Sequence, residues 1–381
     1  MGQRLPVVVG VALALVAAAC RSNASDERPV AEPGRIVTVA GTDDFDGSPL
    51  GVAFDLGVGP DGTLYAIEGR AASIENEPGY ANNLWAIPPS GRLRLVAGVP
   101  RSRDTFSELA PTDVVDPSPR LGARSLAMRS LAVGSDGTVF VGDLNNNVVW
   151  ALGSDGRGRV VAGSGEKGFS GDGGPATAAR LDVPDSLAVN QATGDLYIAT
   201  NDHRIRRVDS TGLITTVVGD GTAGSEGDGG PAVRARLHKA ESLAVDPRSG
   251  ELYFCDVWRI RKIDASRNVV SVAGTGAAPE LSAPAGRQAL ESAVDCTSLA
   301  VDPRDGIVYF SDTKANQIRR IAPSGIVEVV AGTGATGRTP NDEAAATVPI
   351  APSHLAIDGN GNIYFVGHLG ETAIIQMIGA G

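Results

Sequence analysis

The chain is poor in the residues that usually announce a site. Lys and Arg number 33 against 44 Asp and Glu, a formal charge of -11 over 381 residues. Nucleic acid is therefore excluded as a natural partner, because phosphate binding needs a basic surface. Only four histidines occur, so a zinc or catalytic role for any of them would need ligands converging from distant parts of the chain. Of the three cysteines, Cys255 and Cys296 have no His or basic residue beside them in sequence, and nothing marks either as a nucleophile. The opening apolar run, residues 5–16, is too short to span a membrane. No nucleophile–base constellation stands out anywhere along the sequence.

What the sequence has is repetition. Residues 298–332 contain four short apolar runs at 299–301, 307–310, 318–321 and 326–331, the first pair joined at Asp305-Gly306 and the second at Ser324-Gly325. Runs of that length with tight-turn dipeptides predict a four-stranded antiparallel meander. Its opening tripeptide recurs at Leu131, Leu187, Leu243, Leu299 and Leu355, each 56 residues from the last, and Leu56 completes a set of six. A second-strand aromatic recurs in step as Tyr65, Phe140, Tyr197, Tyr253, Tyr309 and Tyr364.

The sixth copy lacks its outer strand, and residues 36–41, IVTVAG, match the outer strand of the other copies. A strand from the N-terminus completing the last sheet closes a ring and removes its exposed edges. The expected fold is all-β, a six-bladed β-propeller over residues 35–381 as a single domain, closed by strand 36–41. Residues 1–20 read as an export signal, with Arg4 ahead of an apolar core. Residues 21–34 are polar and aperiodic and read as a flexible tether.

Two resemblances add to this reading. Ala17 to Cys20 resembles a bacterial lipobox, which implies lipidation of Cys20 and a membrane held through the lipid alone; Ala17 and Ala19 equally suit an ordinary signal peptidase. The segments 162–189 and 218–245, each with a Gly-Asp-Gly-Gly-Pro-Ala core, and Asn201-Asp-His203 resemble the linker and namesake segments of NHL-repeat propellers. That family includes binding scaffolds, sensor domains and a few lyases or hydrolases, so the resemblance implies fold far more than activity.

Local motifs carry bland readings beside sharp ones. Gly163-x-Gly165-x-x-Gly168 and its copies at Gly219 and Gly332 match a dinucleotide fingerprint, yet they follow outer antiparallel strands with no βαβ unit, which makes them exit turns. The Gly-Asp-Gly-Gly-Pro-Ala segments hold too few carboxylates for a calcium cage and read as starts of short linker helices at Pro175 and Pro231.

The candidate site lies at one end of the ring. Glu68, Asp143, Asp256 and Asp312 share the last position of the second strand, with Asp202 close to it in blade three. They either ring the channel mouth and attract a cation or basic ligand, or cap their own turns. His354 replaces the serine of Ser130, Ser186, Ser242 and Ser298, and His368 follows the second strand of the same blade, so a divalent metal at that mouth would draw on these two. Cys255 and Cys296 fall on the same face of adjacent blades and are expected to form a disulfide. Insertions at 69–82 and 99–129 enlarge blade one, with Tyr80, Trp85, Arg101, Arg103, Asp104 and Glu108 as a recognition edge or merely variable loop.

Two functions follow. One is a noncatalytic extracytoplasmic binding or scaffold propeller for a protein, peptide or glycan, exported to a bacterial envelope and lipid-anchored or secreted. The other is a metal-assisted lyase or lactone-type hydrolase at the mouth.

Overall fold

A computed structural model describes residues 28–40, 52–74, 77–91, 94–97, 127–153, 158–278, 286–337, 339–369 and 372–380. The export signal, Cys20, residues Arg101 to Glu108 and the side chain of Tyr80 lie outside the described residues. Six antiparallel sheets follow one another in chain order, each built from four strands of the repeat. Blade four shows the pattern: Ala240–Val245, Leu252–Asp256, Ile260–Ile263 and Val269–Ala273 pair in sequence. Valine, isoleucine and aromatic side chains suit these strands, and the turns fall where expected. Gly306 has φ 80°, the left-handed conformation its turn needs. At Gly332, which ends an outer strand, an added Cβ would lie 2.3 Å from the Asn316 carbonyl oxygen.

The ring closes as the split repeat predicts. Arg35–Ala40 pairs antiparallel with Thr372–Ile378, Ile36 opposite Ile378 and Thr38 opposite Gln376. The two residues Glu343–Ala344 add to its other side. The first strands of neighbouring blades touch all the way round, blade six meeting blade one. The chain is a six-bladed β-propeller. Its core lies between blades: Tyr197, Ala199 and Ile205 of blade three pack on Leu243, Leu252 and Phe254 of blade four. Phe254, Phe310 and Phe365 are fully buried, each worth roughly 1.5–3 kcal/mol in removed apolar surface.

The linkers behave as short helices of the tightest kind. Pro175 and Pro231 each precede a single 3-10 turn, Ala176–Ala178 and Ala232–Arg234. Asp228 in the second linker accepts from Arg259, Arg261 and Ser271. Cys255 and Cys296 form the disulfide between blades four and five.

Three details differ from the sequence reading. The insertion expected as a loop at 69–82 is strand: Leu64–Ile74 and Glu77–Ile87 continue the second and third strands of blade one into a hairpin of two 11-residue strands. Trp85, expected on a recognition edge, is buried because its position faces the inside of the sheet. Residues 28–34, expected in the tether, lie on the ring: Gly34 donates to the Gly379 carbonyl, and Arg28 donates to Gly62 O while its guanidinium sits over the Tyr364 ring.

Candidate site at the channel mouth

The second-strand carboxylates turn inward. Glu68, Asp143, Asp256 and Asp312 are all at most 2% exposed and meet partners inside their own blades. The partner comes from the third strand, directly across from the residue two places earlier. Trp85 donates its indole N–H to Glu68 at 2.9 Å, Trp150 to Asp143 at 3.3 Å, Arg261 to Asp256 at 2.9 Å, and Arg319 lies 3.2 Å from Asp312. Asp143 also accepts from Asn146 N and Asp312 from Ala315 N, which is the turn-capping role weighed from sequence. Burial pushes the Asp256 carboxyl up, against donation from the Lys239 and His238 amides and from Arg261. In blade three Thr200 stands at the strand end, and Asp202 accepts from Thr200 Oγ1 and pairs with Arg204 at 2.8 Å.

The residues that surround the mouth come instead from a bulge in every first strand. Each ladder slips by one residue there, between Ala53 and Asp55, Met128 and Ser130, Pro184 and Ser186, Ala240 and Ser242, Cys296 and Ser298, and Pro352 and Leu355. A bulge frees one side chain from the ladder and re-aims it. The freed residues are Phe54, Arg129, Asp185, Glu241, Thr297 and Ser353, one from each blade. Next to them a second ring ties neighbouring blades: Asp55 accepts from Leu131 N, Ser186 from Leu243 N, Ser242 from Leu299 N and Ser298 from Leu355 N. The repeating serines are thereby explained as inter-blade fasteners.

This collar is charged and varied. Asp185 bridges two cations, Arg129 at 3.2 Å and Lys239 at 2.8 Å, and Lys239 lies 3.8 Å from Glu241. Arg129 keeps about half its side chain exposed, over the ring of Phe54. Burial lifts the Asp55 carboxyl to about 7, partly opposed by the Leu131 and Leu56 amides, with Asp185 adding to the rise. Burial also lifts Glu241, with Lys239 opposing it. Burial drops His354 to about 4, helped by the positive Arg129 and by His368, and burial lowers His368 too. Both imidazoles are therefore neutral at pH 7, and both approach one hydroxyl: Ser353 Oγ is 3.1 Å from His368 Nε2 and 3.4 Å from His354 Nδ1.

His354 and His368 are thus brought together, as their sequence positions implied, but the carboxylates expected beside them are not. Among the described residues no three His, Cys, Asp or Glu side chains are grouped to hold a metal ion. Asp55, Arg129, Asp185, Lys239, Glu241 and Ser353 were missed. Their signal was variation: the residue before each ring serine changes from blade to blade while its neighbours repeat. His203 is a turn residue, with φ 61° and Nδ1 2.9 Å from the His238 carbonyl. Beyond the collar the channel becomes apolar, a cavity of about 380 Å³ lined by Leu56, Leu131, Leu187, Leu243, Leu299 and Leu355 that opens at the opposite face.

No known protein-family profile matches the chain. Mouse teneurin-4 is 28% identical over 373 residues, covering 86% of this chain and 12% of that protein; the chain spans about a tenth of the length of the curated relatives it matches. Among solved structures, a Bacteroides thetaiotaomicron protein of unknown function superposes with TM-score 0.58 at 15% identity, covering 90% of this chain and 75% of its own. An auxiliary nutrient-binding protein from the same organism gives 0.55 at 13%, covering 86% and 69%. A Xanthomonas campestris gluconolactonase gives 0.52 at 10%, covering 92% and 94%. At such identities these structures agree on the propeller fold and on nothing finer.

Proposed function

We propose that the chain is an extracytoplasmic binding propeller of the NHL-repeat type, recognising a protein, peptide or glycan at the collar of bulge residues. The observation that carries this reading is the division of labour in each first strand. The serine and leucine positions repeat because they fasten and pack, whereas Phe54, Arg129, Asp185, Glu241, Thr297 and Ser353 differ at every blade. A rigid ring presenting six unlike side chains is suited to recognition. The disulfide fits an oxidising compartment, and no described helix is long and apolar enough to cross a membrane. Lipidation at Cys20 would supply the anchor. The nutrient-binding neighbour is compatible with this reading.

Arrays of peptides and glycans probed with the purified protein test it. Hits should weaken at least tenfold in a double variant, Arg129→Ala with Glu241→Gln, and be retained in Arg248→Ala, a turn residue on the opposite face. Hits untouched by the double variant would move the site elsewhere. The hydrolase reading keeps one specific observation in its favour, the hydroxyl between two imidazoles.

A further inference from the structure

Blade six departs from the repeat at four positions, His354, Gly367, His368 and Gln376, and the departures converge on the variable bulge residue Ser353. Ser353 stands where the other blades place Arg129, Asp185, Glu241 or Thr297, and His354 where they place the fastening serine. Gly367 stands opposite Pro352 as Asp143, Asp256 and Asp312 stand opposite Met128, Ala240 and Cys296. His368 follows it. In blades one, two, four and five the strand-end carboxylate is absorbed by a third-strand donor. Here there is no carboxylate, and the equivalent third-strand residue, Gln376, is buried with its Nε2 unpartnered. Ser353 and His354 are both out of the ladder. None of these four changes is needed to close a blade, since five blades close without them.

What the changes assemble is a hydroxyl with a base on either side. Ser353 Oγ lies 3.1 Å from His368 Nε2 and 3.4 Å from His354 Nδ1, with a weaker contact at 3.4 Å to the Val366 carbonyl. The first distance is within the reach of a general base on its nucleophile. Ser353, His354 and His368 are all part-exposed at the mouth, so the group can be approached.

We propose that Ser353 is an activated nucleophile, with His368 as its base, acting on a carboxylic ester or lactone presented at the mouth. The Ser353 hydroxyl would add to the carbonyl carbon as its proton passes to His368 Nε2. Collapse breaks the ester C–O bond, the alcohol leaves with that proton, and water then cleaves the acyl-serine to give the free acid and restore the hydroxyl. No metal or redox partner enters. The proposal goes beyond ligand recognition and stands or falls separately from it, because the residues that test binding are Arg129 and Glu241.

The test uses the intact folded chain and a fluorophosphonate, which phosphonylates an activated serine with loss of fluoride. Intact mass and peptide mapping should show one adduct, on Ser353. It should be absent in Ser353→Ala and form at least tenfold more slowly in His368→Gln, with melting temperature and disulfide unchanged. His354→Gln should slow it less, given the longer contact. Absence of an adduct, an adduct on another serine, or a rate indifferent to His368→Gln would overturn the proposal.

Discussion

Blade four and blade six have the same four-stranded frame and opposite polar interiors. In blade four Asp256 accepts from Arg261 and from the His238 and Lys239 amides, and Arg261 reaches on to Asp228 in the linker. Asp256, Arg261 and Asp228 are matched to one another, and Cys255 ties the blade to its neighbour. In blade six Gly367 provides no carboxylate, Gln376 keeps an unpartnered amide, and the polar groups that remain, Ser353, His354 and His368, gather at the mouth. The first arrangement spends its polar residues on holding the ring together. The second leaves them gathered at the mouth, and that difference within a repeat whose blades look alike in outline is what the proposed site rests on.

That contrast can be broken from the structural side first. Blade six is closed by a strand borrowed from the other end of the chain, so a chain lacking residues 35–40 should lose cooperative thermal unfolding altogether, because an open ring exposes the edge of Thr372–Ile378. An unchanged melting curve would dispose of the closed ring. In blade four, Asp256→Ala removes one of the two carboxylates held by a fully buried guanidinium, leaving Asp228, and should cost about 3 kcal/mol in urea unfolding, the low end for breaking a buried pair. The matching change in blade six, Gly367→Ala, meets the movable end of Gln376 at 2.9 Å and Ile374 Cγ1 at 3.3 Å, and should cost less than about 1.5 kcal/mol. Equal costs would erase the distinction. Replacing both Cys255 and Cys296 by Ala should cost about 2–4 kcal/mol, since the bridge closes a loop of 41 residues.

The remaining effects concern protons. Asp55, held at about 7 against 3.8 when exposed, keeps a proton in the folded state that the unfolded chain has released, so its contribution to stability is lost as pH rises from about 4 towards 7. His354, held at about 4 against 6.5, refuses a proton the unfolded chain accepts, so stability is lost as pH falls through that same window. Asp55→Asn should therefore gain stability relative to wild type as pH rises from 4.5 to 7.5, and His354→Gln as pH falls, each by on the order of 2 kcal/mol in denaturant titrations. Differences independent of pH would mean that neither group is as enclosed as the collar makes it.

Most of the frame was legible in the sequence because it repeats. The 56-residue spacing, the strand missing from the sixth copy and its match near residue 36 determined the propeller and its closure. Cys255 and Cys296 could be paired because the same register put them at facing strand ends. The strand-end carboxylates were misleading for a physical reason. Their alignment gave a position on the blade but not a direction, and the partners that turn them inward, Trp85, Trp150, Arg261 and Arg319, lie on the next strand. The hairpin of blade one was read as loop because residues 69–82 lack strand alternation. The collar escaped notice because a bulge leaves no mark on spacing: Asp185 and Glu241 look like strand residues until the ladder slips past them. His354 and His368 were visible as departures from the repeat, and they meet at Ser353.

The claim that the bulge collar, and not the apolar channel end, is where this propeller meets its ligand is tested most directly by a crystallographic screen of small polar and apolar fragments. Polar fragments should collect within contact distance of Arg129, Glu241 and Ser353. Fragments gathering only at the opposite opening, among Leu187, Leu243 and Leu299, would contradict it.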